Sequence, residues 1–472
     1  MDVNVRLGDG LPVADAASPR HLASSVLVPK VVVMHPGTQH SHQAVLAAQQ
    51  AGLLQRFVTS YYWRDQDAVS TLTRFVRRSR SLEVRYLRKR WNPEINPALV
   101  SSFPVYQLAA RLLGELFTRT LGGHAPNVNH WADALYDRRV AAWLQHQPTP
   151  TVLHAFEGSA FWSLKAARRL GVRTILDVPS AYEKLINETN VERRRHGLAR
   201  LRISKRIPSE RELADVLLVA SEYVAKCLME TGIARRRIAV VPYGVDVVRF
   251  SPPEQRRKSG PFRVLYVGRV GLHKGIEYLL EAWRIAGLEE SELVFAGAVD
   301  PAAVRMVKTR PGNTRFIGQV APPTLHRLYQ SADVFVLPSL SDGFGMVLFE
   351  AMATGLPVIA TTSCGAPVRD GLDGYVVASR DASAIAERLK SLYHDPDKRL
   401  QLGAQGRQRV RTAFTWQHYR RRVAAAYVAL ANGKPVQESI NAVSEHLEPV
   451  AVPSPDAAEL HAAVTYEGSS AL

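Results

Sequence analysis

The chain has 472 residues, enough for two domains that each bury a core, and with 46% hydrophobic and 22% charged residues it reads as a globular protein. No run of about eighteen apolar residues occurs, which argues against a membrane-spanning helix. Two cysteines, Cys227 and Cys364, suit a reducing compartment and are too few for a disulfide framework or a metal cluster. The formal net charge of +17 favours anionic partners such as phosphorylated small molecules, anionic lipid or nucleic acid.

Residues 1–25 are mixed and rich in small side chains, and are expected to form a poorly ordered leader without the apolar core of a secretory signal. A first domain is expected over 26–249. It opens with a strand from Val26 to Met34, a turn containing Gly37, an alanine-rich helix closed by Gly52, and a strand from Phe57 to Tyr62. Strand, small-residue turn, helix and strand in that order begin a Rossmann-like half, although the Gly-x-Gly-x-x-Gly fingerprint of a dinucleotide site is absent. From Arg64 to Gln147 the pattern is mostly helical and basic, broken at Trp91–Pro97. Within it, residues 74–90 carry eight basic residues against one acid, interleaved with Phe75, Leu82, Val84, Tyr86 and Leu87. That mixture suits an anionic membrane surface, an ordinary solvated face being the plainer reading; nothing in the chain matches a nucleic-acid-binding module. A second basic cluster runs from Arg193 to Arg211.

Short apolar runs at Val152–Phe156, Thr174–Pro179, Asp215–Ala220 and Ile238–Pro242 continue the alternation of strand and helix. His154 is expected at the end of its strand, where open parallel sheets place ligand contacts; a lone histidine there is often only structural. The Pro- and charge-rich segment 250–261 reads as a linker, and a second domain follows over 262–413. Its first strand, Phe262–Val267, leads into a turn that holds Arg269 and Lys274. A helix over Ile276–Ala286, strands at Leu293–Ala296 and Thr314–Ile317 and a helix over Pro323–Ser331 come next. Asp333–Pro338 is then a buried strand, Gly343-Phe344-Gly345 a turn, and Gly355 the end of the following helix. Unpaired N–H groups at that helix start suit a phosphate, and Asp342 and Glu350 bracket the turn with carboxylates that can each grip adjacent sugar hydroxyls. The plainer readings are a turn or capping residue for Asp342 and a solvated helix face for Glu350.

The run Pro338-Ser-x-x-Asp342-Gly-Phe-Gly-x-x-x-x-Glu350-Ala-Met-Ala-x-Gly355-x-Pro-Val-Ile-Ala360 resembles the donor-site motif of family 4 retaining glycosyltransferases, which have the GT-B fold of two Rossmann-like domains facing each other across a cleft. Asp342 stands where that family usually has Glu. Gly268-Arg269 followed by Lys274-Gly275 matches the family's phosphate-binding turn, and Tyr243-Gly-Val-Asp246 its Asn-Gly-Val-Asp segment, with Tyr243 in the Asn position. Val368 stands where the family has an acid in the next loop, which Cys364 is expected to line. The resemblance is specific over roughly 215–380 and implies an acceptor-binding first domain, a donor-binding second domain, and a helix at 414–432 that crosses back between them.

It also implies transfer of a sugar, with retention, from a UDP- or GDP-sugar to a glycan or lipid-linked acceptor in cell-envelope or exopolysaccharide synthesis, at the cytoplasmic face of a membrane. Arg269 and Lys274 would stabilise the departing diphosphate, Asp342 would bind the sugar and Glu350 the ribose, with Gly37, Gly343, Phe344 and Gly345 lining the donor. His154 would approach the sugar or the attacking hydroxyl. No carboxylate nucleophile is identifiable, so a front-face transfer is favoured in which the donor phosphate takes the acceptor's proton. These cations and the helix start can stabilise the charge without a metal, and the acid pairs Asp65/Asp67 and Asp395/Asp397 read as loop residues. Two other readings stand: a non-catalytic relative that binds sugar nucleotides, and a soluble transferase for a small acceptor. A nicotinamide-dependent oxidoreductase is disfavoured by the missing fingerprint. The tail from Gly433, with six acids against Lys434, is expected to be disordered.

Overall fold

The computed structural model describes residues 27–38, 40–63, 90–106, 109, 114, 129–204, 206–255, 257 and 259–447. The leader and all but the last residue of the 74–90 basic stretch lie outside them. Two parallel sheets organise the rest. The first has seven strands: β1 Val31–His35, β2 Leu54–Thr59, β3 Val100–Ser102, β4 Val152–Phe156, β5 Arg173–Val178, β6 Val216–Val219 and β7 Ile238–Val240, in the order β3-β2-β1-β4-β5-β6-β7. The second has six: β8 Phe262–Val267, β9 Ser291–Ala296, β10 Thr314–Phe316, β11 Val334–Leu337, β12 Val358–Thr361 and β13 Tyr375–Val377, in the order β10-β9-β8-β11-β12-β13. Strands with both faces covered are nearly continuous apolar runs, as in Val31-Val-Val-Met34, and all four of those residues are fully buried.

Strand order reverses at one place in each sheet. β1 pairs with β2 on one side and β4 on the other, with Val33 opposite His154; β8 pairs with β9 and with β11, with Leu265 opposite Phe335. The loops that leave these strands diverge to opposite faces and open a crevice at the carboxyl ends, where ligands bind in open α/β sheets.

The helices are α1 Ser41–Gln50, α2 Asn129–Leu144, α3 Phe161–Arg169, α4 Tyr182–Arg195, α5 Arg206–Leu213 and α6 Glu222–Glu230 around the first sheet. Around the second are α7 Ile276–Ala286, α8 Val304–Lys308, α9 Pro322–Ser331, α10 Met346–Ala353, α11 Ala382–His394 and α12 Pro396–Ala413. The chain then returns. Val245 donates its N–H to Phe414 O at 2.9 Å, and a Cβ at Gly244 would overlap the Thr415 backbone, so the end of the first domain and the start of the return segment pack without side chains between them. Thr415 and His418 form a capping box that starts α13, Trp416–Ala431, which packs on α1 and β4.

The expectation of a structureless tail from Gly433 is corrected at its start. α14, Val436–Glu445, buries Val436 and Ile440 against α13 and β7, and Gln437 accepts the Val240 N–H at 2.7 Å. Its apolar residues four apart place one stripe on the protein while the acids face water, so acid-rich composition hid an amphipathic helix. β3 and β13 lie at sheet edges and are three residues each, too short for an alternating pattern to reveal.

Three cations of the basic stretches, Arg90, Arg206 and Arg211, are less exposed than composition suggests. Arg90, the last residue of the basic stretch, is 5% exposed and donates to Pro36 O at 3.0 Å and Ser60 Oγ at 2.6 Å. In the second cluster Arg206 meets Asp137 and Glu210, both at 3.1 Å, while buried Arg211 meets Glu157 at 2.6 Å and Glu183 at 2.7 Å. These side chains neutralise interior carboxylates instead of adding to a surface field.

Candidate active site

The second sheet brings together the residues singled out around its reversal point. After β8 the chain turns through Arg269 to a single helical turn, Leu272–Lys274, ended by Gly275 at φ 67°, where a Cβ would overlap Pro338 O. That contact seats the turn directly on the end of β11. Lys274 Nζ consequently reaches Asp342 Oδ2 at 2.5 Å, and Leu340 N–H donates to His273 O at 2.9 Å. Burial works against the Asp342 carboxylate, but Lys274 outweighs it and holds the carboxyl below its usual range. Burial, with Lys274 next to it, lowers His273 to about 4. Arg269 is 56% exposed, with Nη1 2.9 Å from Asp300 Oδ1, and remains accessible to a phosphate.

Gly345, at φ 58°, opens α10, and Phe344 is packed flat on Phe349 with ring centroids 4.8 Å apart. Gly343 is the point of contact with the other domain. Its carbonyl accepts the Ser221 hydroxyl at 2.7 Å, and a Cβ there would overlap Pro179 O. Glu350 projects from α10, half-buried, and accepts the Tyr329 hydroxyl at 2.8 Å. Burial pushes its carboxyl up to about 7, against the smaller pulls of Tyr329 and Arg249. Cys364 does not line the loop as expected: its thiol turns inward to Leu337 O at 3.0 Å, and burial raises it to about 11. It is Cys227 that borders open space, a cavity of about 560 Å³ shared by Ser221, Tyr223 and Lys226 with Ser363 and Gly365. Of the acid pairs, Asp395 caps α12, while Asp65 and Asp67 lie outside the described residues.

In the first domain Gly37 sits on the turn after β1, its N–H donating to His35 Nδ1 at 2.8 Å. His154 departs from expectation. It is the middle residue of β4 and fully buried, stacked on Phe156, with Nδ1 2.7 Å from Tyr427 Oη and Nε2 3.8 Å from Asp177 Oδ2. The return of α13 over β4 covers it, so its side chain is not presented to the cleft. Burial lowers its pKa despite Asp177.

The centre of this cluster is Asp177, which sequence reasoning passed over. Burial disfavours its carboxylate, yet His40 and His154 hold the carboxyl well below its usual range. His40 Nε2 is 2.9 Å away and Tyr243 donates its hydroxyl at 3.4 Å. The signal was an acid inside the otherwise apolar run Thr174-Ile-Leu-Asp177-Val178: a buried carboxylate in a central strand requires donors around it. Among the described residues no group of three or more His, Cys, Asp or Glu side chains is placed to hold a metal ion.

Two parallel α/β domains, each reversing strand order at its crevice, define the GT-B class. The family model described as Glycosyltransferase Family 4 matches residues 118–249, and that for Glycosyl transferases group 1 matches 248–409. The chain belongs to this family, the group 1, family 4 glycosyltransferases. It is 30% identical over 225 residues to glycogen synthase of Mycobacterium tuberculosis H37Rv, covering 45% of this chain and 53% of that protein. To D-inositol 3-phosphate glycosyltransferase of Corynebacterium urealyticum it is 30% identical over 253 residues, covering 46% and 57%. The match thus spans little more than half the length of these curated relatives. The crystal structure of Anabaena HepE in complex with UDP has the same fold, with a TM-score of 0.55 at 14% identity over 84% of this chain and 98% of that one.

Proposed function

We propose that this protein transfers a sugar from a nucleoside-diphosphate sugar to an acceptor hydroxyl, with retention of configuration and without a metal. The observation that carries the reading is the convergence of Arg269, Lys274 and Asp342 at the carboxyl end of the second sheet, beside the glycine turn that opens α10. Two cations and a helix start match a diphosphate, and a carboxylate held ionised by Lys274 matches sugar hydroxyls. Lys274 touches both halves of the donor in this scheme: it fixes Asp342 and follows the charge that develops on the departing phosphate oxygen. Glu350 grips the ribose, and the phosphate oxygen takes the acceptor's proton. The solved complex of HepE with UDP supports a UDP-type donor.

The acceptor, a glycan or lipid-linked chain in envelope or exopolysaccharide synthesis, meets the first domain. No helix among the described residues is long and apolar enough to cross a membrane. The charge of +17 and the basic interleaved stretch at 74–89 support docking to an anionic surface on the cytoplasmic side. Absence of binding to anionic vesicles at low salt would remove that part.

The test is a thermal-shift panel of UDP, GDP, ADP and their common sugars, with and without EDTA, on the parent and on Arg269→Ala. A diphosphate at about 100 times its Kd adds roughly 2.7 kcal/mol if it binds only the folded state. The expected result is a shift for one base that survives EDTA and is lost in Arg269→Ala. No shift with any diphosphate would overturn the donor site. Slow hydrolysis of the bound donor separates an enzyme from a relative that only binds.

A further inference from the structure

Asp300 stands on the loop after β9, and nothing proposed so far uses it. Its Oδ1 lies 2.9 Å from Arg269 Nη1, and among the described residues the Arg269 guanidinium hydrogen-bonds only to this acid. The two members of the pair are held very differently. Arg269 is a long side chain and 56% exposed, against 24% for Asp300.

The acid is set by the backbone and not by the pair. Beyond the ends of β8 and β9 the two segments stay zipped together: Gly268 N–H donates to Ala296 O at 2.9 Å, Val270 N–H to Ala298 O at 2.8 Å and Asp300 N–H to Val270 O at 3.0 Å. Their backbones touch, since a Cβ at Gly297 would overlap Gly268 O. Pro301 then fixes the exit, and Ala303, fully buried, donates its N–H to Asp300 O at 2.9 Å. The carboxylate itself lies against the turn that carries Arg269 and Lys274, for a Cβ at Gly271 would overlap Asp300 Oδ2. When a ligand draws Arg269, the arginine can turn toward it, but the acid stays where it is.

A diphosphate gripped by Arg269 has to displace Asp300 from the guanidinium or share the cation with it. Either way a fixed negative charge stands beside the ligand's own, and the penalty grows with the ligand's charge. Lys274 is already paired with Asp342, so Arg269 is the cation on which that penalty falls. A nucleoside diphosphate ends in a phosphate whose second ionisation lies at about pH 6. A sugar nucleotide has that phosphate esterified and carries one negative charge fewer above this pH.

We infer that Asp300 is a positioning residue that acts through Arg269 to favour product release: its carboxylate competes with the nucleoside diphosphate for the guanidinium, and weighs on that product more than on the incoming sugar nucleotide. The inference rests on the donor reading above, with Arg269 at the diphosphate, and extends it to the step after transfer.

The test is Asp300→Asn, which removes the charge but keeps an oxygen that can accept from Arg269; Asp300→Ala takes its place if that variant does not melt like the parent. Calorimetry and stopped-flow binding on the full chain, at about pH 8 and low salt, compare UDP, GDP and ADP with UDP-glucose, GDP-mannose and ADP-glucose. The variant is expected to bind the diphosphate about three- to tenfold tighter, through slower dissociation, and the sugar nucleotide about twofold tighter at most, the weight of one partly screened charge. The gain should fade toward about 1 M salt, where screening acts within about 3 Å. Unchanged or weaker diphosphate binding, or equal tightening of both ligands, overturns the inference and leaves the donor site standing; weaker binding would mean that Asp300 only holds Arg269 in place. Failure of the parent to bind any diphosphate or sugar nucleotide overturns both.

Discussion

Glu350 is a carboxyl whose burial lifts it to about 7, so the folded chain holds its proton more firmly than the unfolded chain does. Its contribution to stability is complete below about 4.3, the ordinary carboxyl value, and is lost as pH rises through the folded value. A ribose grip needs the carboxylate, so the same interval should strengthen nucleotide binding. Calorimetry at about pH 6 and pH 8 is expected to show the parent gaining affinity for the diphosphate and Glu350→Gln gaining less, with a flatter dependence of melting on pH in the variant. Equal slopes for both would remove Glu350 from the site. Asp342→Asn is expected to leave Lys274 without its counter-ion and to lower kcat/KM by about 10²–10³, as for loss of one charge-stabilising group. Arg269 is a separate case: its pair with Asp300 is exposed, so Arg269→Ala should cost under about 1 kcal/mol of stability while abolishing the nucleotide-dependent shift. A large loss of stability without nucleotide would mean that Arg269 is structural.

At the scale of elements, glycines mark where backbones touch. Gly343 joins the donor turn to the loop after β5, and a methyl there meets Pro179 O. Gly343→Ala should lower the denaturant midpoint by the equivalent of about 1–3 kcal/mol and weaken diphosphate binding, since the turn must shift. Gly312→Ala is the matched control, because a Cβ there meets nothing within 4 Å. If both variants unfold alike, the close approach at Gly343 carries no weight. In the second domain β8, β9, β11 and β12 were legible because each is a short apolar run, and the turns after β8 and β11 carry glycine, whereas three-residue β13 was not. The start of α14 was not, since its two buried residues, Val436 and Ile440, are a small signal among charges.

Across the whole molecule the domains are tied by a network on the α4 side of the cleft. Arg380, at φ 69°, donates to Glu188 at 2.7 Å and Glu192 at 2.9 Å. Glu192 also takes Arg195 at 3.0 Å and the Tyr278 hydroxyl at 3.2 Å, while His196 meets Glu277 at 3.1 Å. A non-glycine residue in the left-handed region is strained, and here two carboxylates from the other domain hold it. Arg380→Ala is expected to raise the radius of gyration in small-angle scattering and to speed nucleotide association. Unchanged scattering and kinetics would mean that other contacts hold the cleft.

The sequence alone determined the class of fold and the residues proposed for the donor side of the site, because both reside in local patterns: strand, turn and helix in repetition, and a motif whose members lie close along the chain. Lys274 and Asp342 are 68 residues apart, yet each sits at a recognisable turn after a recognisable strand, and parallel pairing of β8 with β11 brings such turns together. What only the tertiary structure decided is the other wall of the cleft. His40, Asp177 and Tyr243 come from three separate strand ends, and Tyr427 from a helix 273 residues beyond His154. The return of α13 over β4 buries His154, whose Nδ1 meets Tyr427 Oη at 2.7 Å. Whether a polar residue at a strand end faces solvent, a ligand or another helix depends on what the chain lays over it later, and no local pattern carries that information.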